Sequence, residues 1–173
     1  MPALVETVAD ERTALLAFLA EQRAGLRRAV LGLDERQAGQ RPTVSALTLG
    51  GLIKHAVHVE RFWIDEVLRQ LPAGDKPDWA AQFEIGAEED LPGWLAAYKQ
   101  AAAHTERIVA ELPTLEVTAP LPRAPWFPEN AVRSARWILL HLIEETARHA
   151  GHADILRESL DGRTAYELMA AAQ

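Results

Sequence analysis

Four long segments with helical hydrophobic period, set apart by loops rich in proline and polar residues, constrain this chain more than any other feature. In the first, 7–31, Leu15, Phe18, Leu19, Leu26, Ala29 and Val30 recur at spacings of three and four, with charges between them. That spacing marks a helix that buries one stripe. The polar stretch 34–42 ends it. The second, 48–71, opens on Thr48 as N-cap and stops before Pro72, with Leu49, Leu52, Ile53, Ala56, Trp63 and Val67 as its stripe. The third, 90–112, has Asp90 as N-cap and Pro92 in its first turn, where a missing amide donor costs little. It carries Trp94, Tyr98, Ala101, Thr105 and Ile108 as far as Pro113. The fourth, 131–160, is followed by Gly162, a residue suited to the left-handed position that closes a helix. The tail, 163–173, is expected to add a short helix.

No run alternates with period two for long enough to suggest a sheet. Four helices of about 20 to 30 residues predict an all-α protein, a four-helix bundle. The chain of 173 residues can bury a core as one domain, 1–173. Two connections are long. Segment 72–90 is rich in Pro, Gly, Asp and Ala, with Trp79 and Phe83 as anchors onto the core, and 113–130 holds Pro120, Pro122, Pro125 and Pro128. A simple up-and-down bundle does not need such loops. A long crossover at 72–90 is therefore expected, with helices two and three running parallel.

Composition narrows the function. There is no cysteine, which removes disulfides, iron–sulfur clusters, thiolate zinc sites and a cysteine nucleophile. Lys+Arg is 18 against Asp+Glu 25, a formal net charge of -7 without any basic run. That balance argues against nucleic acid, which needs clustered cations. No segment reaches the roughly 18 consecutive apolar residues of a membrane span. The first ten residues carry Glu6 and Asp10 and no basic residue, unlike a secretory signal, so the cytoplasm is the expected compartment and no membrane partner is expected. Six histidines remain as candidate ligands: His55, His58, His104, His141, His149 and His152.

A helical wheel sorts them. With Trp137 at zero, Glu145 falls at about 80° and His149 at about 120°, on the stripe of Ile138, Leu142 and Leu156 at about 100° to 140°. A carboxylate within an apolar stripe needs a partner. A spacing of four residues lets two side chains of one helix converge on one ion, or simply on each other as a hydrogen-bonded pair. Glu144, at about 340°, is the poorer choice, and His152 and His141 lie at about 60° and 40°. On the second helix, with Leu49 at zero, His55 falls at about 240°, at the edge of the buried arc, and His58 at about 180°, opposite it. His55 is therefore the candidate third ligand, and His58 is expected to be exposed or capping. Two histidines and a carboxylate leave an open position on zinc, and the same set also suits iron(II), nickel or manganese.

The stretch HLIEETARHAGHADILRESLDG, 141–162, resembles the final core helix of the DinB-like superfamily, especially the branch with mycothiol-dependent enzymes and mini-circle-type proteins. LTLGGLIKHAVHVERFW, 47–63, resembles the second helix of that branch. The order and length of helices and loops match over nearly the whole chain. The resemblance implies an up-down-down-up bundle and a divalent metal, often zinc or nickel, held by a histidine of the second helix and two ligands of the fourth. Many members carry H-x-x-x-H there. This chain has Glu145 in place of the first histidine, as the mycothiol-linked maleylpyruvate isomerases do. Carried over residue by residue, the ligands are His55, Glu145 and His149. His152, one turn on, is implied as a residue behind the ligands or facing substrate and is the candidate catalytic residue; should the site run as a hydrolase, it is the candidate general base.

The activity so implied is metal-dependent transfer of a low-molecular-weight thiol, such as mycothiol or bacillithiol, to a small electrophile. A free thiol titrates near 8.5, and a divalent ion holds it as thiolate. Trp63, Trp126 and Phe127 are candidates to line the electrophile pocket, and Lys54, Arg133 or Arg136 to bind carboxylates of the thiol. The alternatives on the same residues are a hydrolase, an isomerase, or a non-catalytic stress-related protein with a vestigial metal site. Family members often pair through helix faces, which makes a homodimer the expected assembly.

Overall fold

Helix starts in this chain are set by short polar side chains. In the structure, a computed structural model that describes residues 4–73, 80–125 and 127–172, α1 (Glu11–Ala29) begins where the Asp10 carboxylate accepts the Thr13 N–H. A four-residue helix, α2 (Glu35–Ala38), follows with a capping box between Asp34 and Gln37. α3 (Leu49–Arg61) is capped by the Thr48 hydroxyl and runs straight into a π-helical stretch, Phe62–Leu68. A single 3-10 turn, Ala81–Phe83, precedes α4 (Leu91–Glu111), capped by Asp90 with proline in its first turn. Strands β1 (Thr118–Pro120) and β2 (Val132–Ser134) pair antiparallel, with Thr118 opposite Ser134. α5 (Ala135–Asp161) is capped by Ser134 and closed by Gly162 at φ 79°. α6 (Ala165–Ala171) carries a second capping box, Thr164 with Glu167.

The chain is mostly helical, as expected, with the closing glycine and the short tail helix where the sequence places them. Three expectations need correction. The fourth helix starts at Ala135 rather than 131, because residues 132–134 pair with 118–120. Three-residue strands are too short to show a period, so the ribbon is invisible in the hydrophobic pattern. The second helix is not α-helical to residue 71, since its last part winds as a π-helix that ends before Gln70 at φ 56°. The polar stretch after the first helix holds α2, whose single turn has too few residues for a stripe.

α1 packs chiefly on α5, and α3 on α4. Side-chain contacts give the pairings. Arg136 reaches Glu11, and the Arg157 guanidinium donates to the Ala29 carbonyl. Along α3 and α4, Lys54 and His58 meet Trp94, Glu60 meets Thr105, and Asp65 meets His104. Between α1 and α3, Arg23 meets Glu60. Two apolar clusters result. One contains Leu26, Leu52, Ile53, Tyr98 and Leu156. The other contains Leu19, Ile64, Val67, Ile138 and Leu142. Between them along the helices lie the buried polar residues Arg23, Glu60, Thr105 and Thr146. Among the described residues no helix is long and apolar enough to cross a membrane.

Candidate metal centre

The site is built on two helices and covered by a loop. His55 stands two turns into α3 and is 2 % exposed. Two glycines in the first turn of that helix explain the cover. A Cβ on Gly51 would lie 1.7 Å from the Phe83 carbonyl oxygen, and one on Gly50 would lie 2.7 Å from Ile85 Cδ1. Only bare backbone lets the 81–86 segment settle there. The Lys54 ammonium then holds the segment down, donating to the Glu84 carbonyl at 2.9 Å and to the Glu89 carboxylate at 2.7 Å. Phe83 stacks on the His55 ring at 4.1 Å between centroids, and Gln82 Oε1 lies 3.0 Å from His55 Nδ1.

α5 supplies the other side. Glu145 and His149 are one turn apart and face His55. Glu145 Oε1 lies 3.2 Å from His149 Nε2 and 3.5 Å from His55 Nε2. One ligand atom from each of the three residues falls within 4.8 Å of the others. These residues surround a cavity of about 10 Å³, with Leu26, Ala56, Val59, Leu142 and Thr146 as its other walls. That space is near the size of one small ion or water. Ligands about 2.1 Å from a tetrahedral ion stand roughly 3.4 Å apart, so the two nitrogen–oxygen separations fit without rebuilding the helices. The donor types, two imidazole nitrogens and a carboxylate oxygen, are those of a catalytic divalent site.

The charge pattern agrees. The imidazoles of His149 and then His55, beside its oxygen, hold the Glu145 carboxyl well below its ordinary value of 4.5, against the opposing pull of burial. Glu145 is thus an anion at any pH near neutrality. Because its folded value is depressed, Glu145 adds stability that is present above the unfolded value of 4.5 and is lost as pH falls below it. The metal-free protein should therefore lose melting temperature below about pH 4.5, and Glu145→Gln should flatten that loss. Thermal denaturation from pH 3 to pH 6 checks it, and identical slopes in both proteins would count against the pairing.

The remaining residues named from sequence scatter. His152 Nδ1 lies 3.3 Å from His149 Nδ1, on the ring edge away from Glu145. Burial, followed by the charges of His149 and Arg148, lowers its pKa. Glu144 points outward to Arg148. His141 packs between Trp63 and Trp137, at 4.6 Å and 5.1 Å between centroids. His104 is held by Asp65 and Arg107. His58 is not exposed as expected. Its ring packs against Trp94 and its Nε2 is buried, because α4 covers the side of α3 that a one-faced wheel leaves open. Lys54 is spent on the loop, and Arg136, in the first turn of α5, is tied to Glu11 at the start of α1 and to Glu116 just before β1, so neither faces the cavity. Arg133 lies over the Trp137 ring. Trp63 does meet Phe127, at 6.0 Å, whereas Trp126 and Trp79 lie outside the described residues. Gln82 was not singled out from sequence. The one signal was the Gly50–Gly51 pair inside a helix, where each glycine costs about 1 kcal/mol unless something must approach closely.

Comparison with known proteins supports the same region. The family model described as mycothiol-S-transferase matches residues 14–162, which include all three candidate ligands. No curated protein matches the chain. The crystal structure of a conserved protein from Enterococcus faecalis aligns with TM-score 0.65 at 12% identity, covering 90% of this chain and 100% of that one. At that identity the likeness speaks to the fold alone.

Proposed function

The chain belongs to the mycothiol S-transferase family, in the DinB-like group, and on that premise we propose that it joins a low-molecular-weight thiol to a small electrophile. The observation that carries the reading is the convergence of His55, Glu145 and His149 within 4.8 Å on one small cavity. Bound there, a divalent cation, zinc or nickel, would supply the charge that keeps a thiol in its thiolate form at neutral pH. The side chains set the surroundings. The anionic Glu145 lowers the net positive charge of the centre, which favours a nucleophilic sulfur over a third neutral imidazole in its place. Phe83 shields one face of His55 from water. His152 acts through His149 by fixing its ring, so it is a positioning residue in this scheme rather than a base at the reacting atoms. In the transfer the thiol gives up its proton, a sulfur–carbon bond forms, and the leaving group departs with its electron pair. Trp63 and Phe127 are in contact beside His141, one turn from Glu145, which supports an aromatic wall for the electrophile.

We read the fold behind this site as one domain, 1–173, arranged as an up-down-down-up bundle. The pairings Glu11 with Arg136 and Ala29 with Arg157 support α1 parallel to α5. Those of Lys54 with Trp94 and Asp65 with His104 support α3 parallel to α4 across the crossover.

Mycothiol and bacillithiol should each be offered with a chromogenic electrophile to protein loaded with zinc or nickel, and to metal-stripped protein. The expected result is conjugate formation that needs both thiol and metal. Electrophile turnover without added thiol would replace transfer with hydrolysis. Equal rates with and without metal would remove the metal from the reaction.

A further inference from the structure

His55 has an acceptor at each ring nitrogen. Gln82 Oε1 lies 3.0 Å from Nδ1, and Glu145 Oε1 lies 3.5 Å from Nε2. A neutral imidazole carries one N–H and can satisfy only one of two acceptors. We propose that Gln82 is a positioning residue of the metal centre: its amide oxygen takes the Nδ1–H of His55 and leaves the Nε2 lone pair for the cation. This rests on the metal reading above and adds to it a residue outside the three ligands. The Glu145 side of the ring then presents two lone pairs to one cavity, an arrangement that a cation relieves. Ligating histidines commonly donate their other ring N–H to such an acceptor, which fixes tautomer and orientation.

Three features make Gln82 a fixed partner rather than a passing loop contact. The Phe83 carbonyl occupies the space that a Cβ on Gly51 would fill. The Phe83 ring lies on the His55 ring at an angle of 21°. Beyond it, the Glu89 carboxylate is bound by the Lys54 ammonium, the Gly86 N–H and the Trp94 indole. The two histidine ligands are thus backed from different elements, His55 by Gln82 of the 3-10 turn and His149 by His152 of its own helix. Glu145 cannot take the role of Gln82, because it faces the opposite ring nitrogen.

The test has two readouts. Zinc affinity, measured by competition with a chromophoric chelator, should fall about 10- to 100-fold in Gln82→Met, which keeps the bulk and removes the acceptor. It should fall likewise in Gln82→Asn, whose oxygen is drawn back by one carbon, and should recover in Gln82→Glu. Independently, imidazole nitrogen shifts of the metal-free protein at about pH 9, well above the ordinary histidine range, should show His55 as the Nδ1–H tautomer. In Gln82→Met it should turn toward the Nε2–H form. Zinc affinity of Gln82→Met within twofold of the parent, or an Nε2–H tautomer in the parent, overturns the proposal. If the parent protein binds no zinc or nickel, the metal reading fails on its own, and the tautomer still decides the role of Gln82.

Discussion

Replacing His149 with alanine should leave a folded protein that retains no stoichiometric divalent metal and conjugates thiol more than about 100-fold more slowly. The reasoning begins with the donor count. Three donors come from two helices, and α5 gives two of them one turn apart. Without His149, the site keeps one imidazole and one carboxylate, too few to hold a divalent ion against water and buffer. Backing residues alone change affinity by about 10- to 100-fold, so a direct ligand should exceed that. The fold should survive. The His149 side chain is 12% exposed, and among the described residues its ring meets other elements through His55 of α3 and Phe83 of the 3-10 turn. Metal content of both proteins purified in parallel, then thiol conjugation, checks the expectation. Equal metal content would remove the site. Glu144→Gln is the matched control, since Glu144 is exposed and, among the described residues, pairs with Arg148 and lies near His141, and it should leave metal content unchanged. His152→Ala should fall between, because it meets His149 at the outer nitrogen, on the ring edge away from Glu145.

Much of this centre could be read from residues 141–162, where four-residue spacing within one helix is enough to put Glu145 and His149 together. His55 is 90 positions away from Glu145, and the wheel placed it only at the edge of a buried arc. It is in fact almost wholly buried, because residues 81–86 cover its outer side. A wheel describes one helix and cannot see a loop that folds back on it. The same limit hid the contact of His58 with Trp94. The π-helical stretch sets a different limit. It adds residues per turn after Arg61, so angles counted from Leu49 at 100° each drift along it, although Trp63, its second residue, is buried as its stripe predicts. Segment 113–134 was legible only as a proline-rich connection, since strands of three residues hold too few positions for a period. Caps were read more reliably, because Thr48, Asp90 and Gly162 act through bonds within four residues.

Glu60→Ala should cost about 3–5 kcal/mol, the largest stability loss expected from a single truncation of a polar side chain here. Glu60 is 3% exposed and Arg23 is 1% exposed, between two apolar clusters. Arg23 donates to both Glu60 oxygens, at 2.5 Å and 3.1 Å, and the Thr105 hydroxyl donates to Oε1 at 2.6 Å. Truncating Glu60 leaves a buried guanidinium whose nearest other carboxylate, Glu106, is 3.4 Å away and half exposed. A charge stranded in that way is far more destabilising than the intact pair is stabilising. For a chain of this size the loss corresponds to a fall in melting temperature of about 10 °C. The double change Arg23→Met with Glu60→Leu makes the opposite test, since it removes both charges and fills the space. It should be far more stable than Glu60→Ala and close to the parent, as judged by urea denaturation with an unchanged slope. The comparison separates two roles of the pair. If the double variant matches the parent in stability but exchanges its core amides faster, the Arg23–Glu60–Thr105 link serves to fix how α1, α3 and α4 register. If it is as unstable as Glu60→Ala, the desolvation argument is wrong and the ion pair itself stabilises the core.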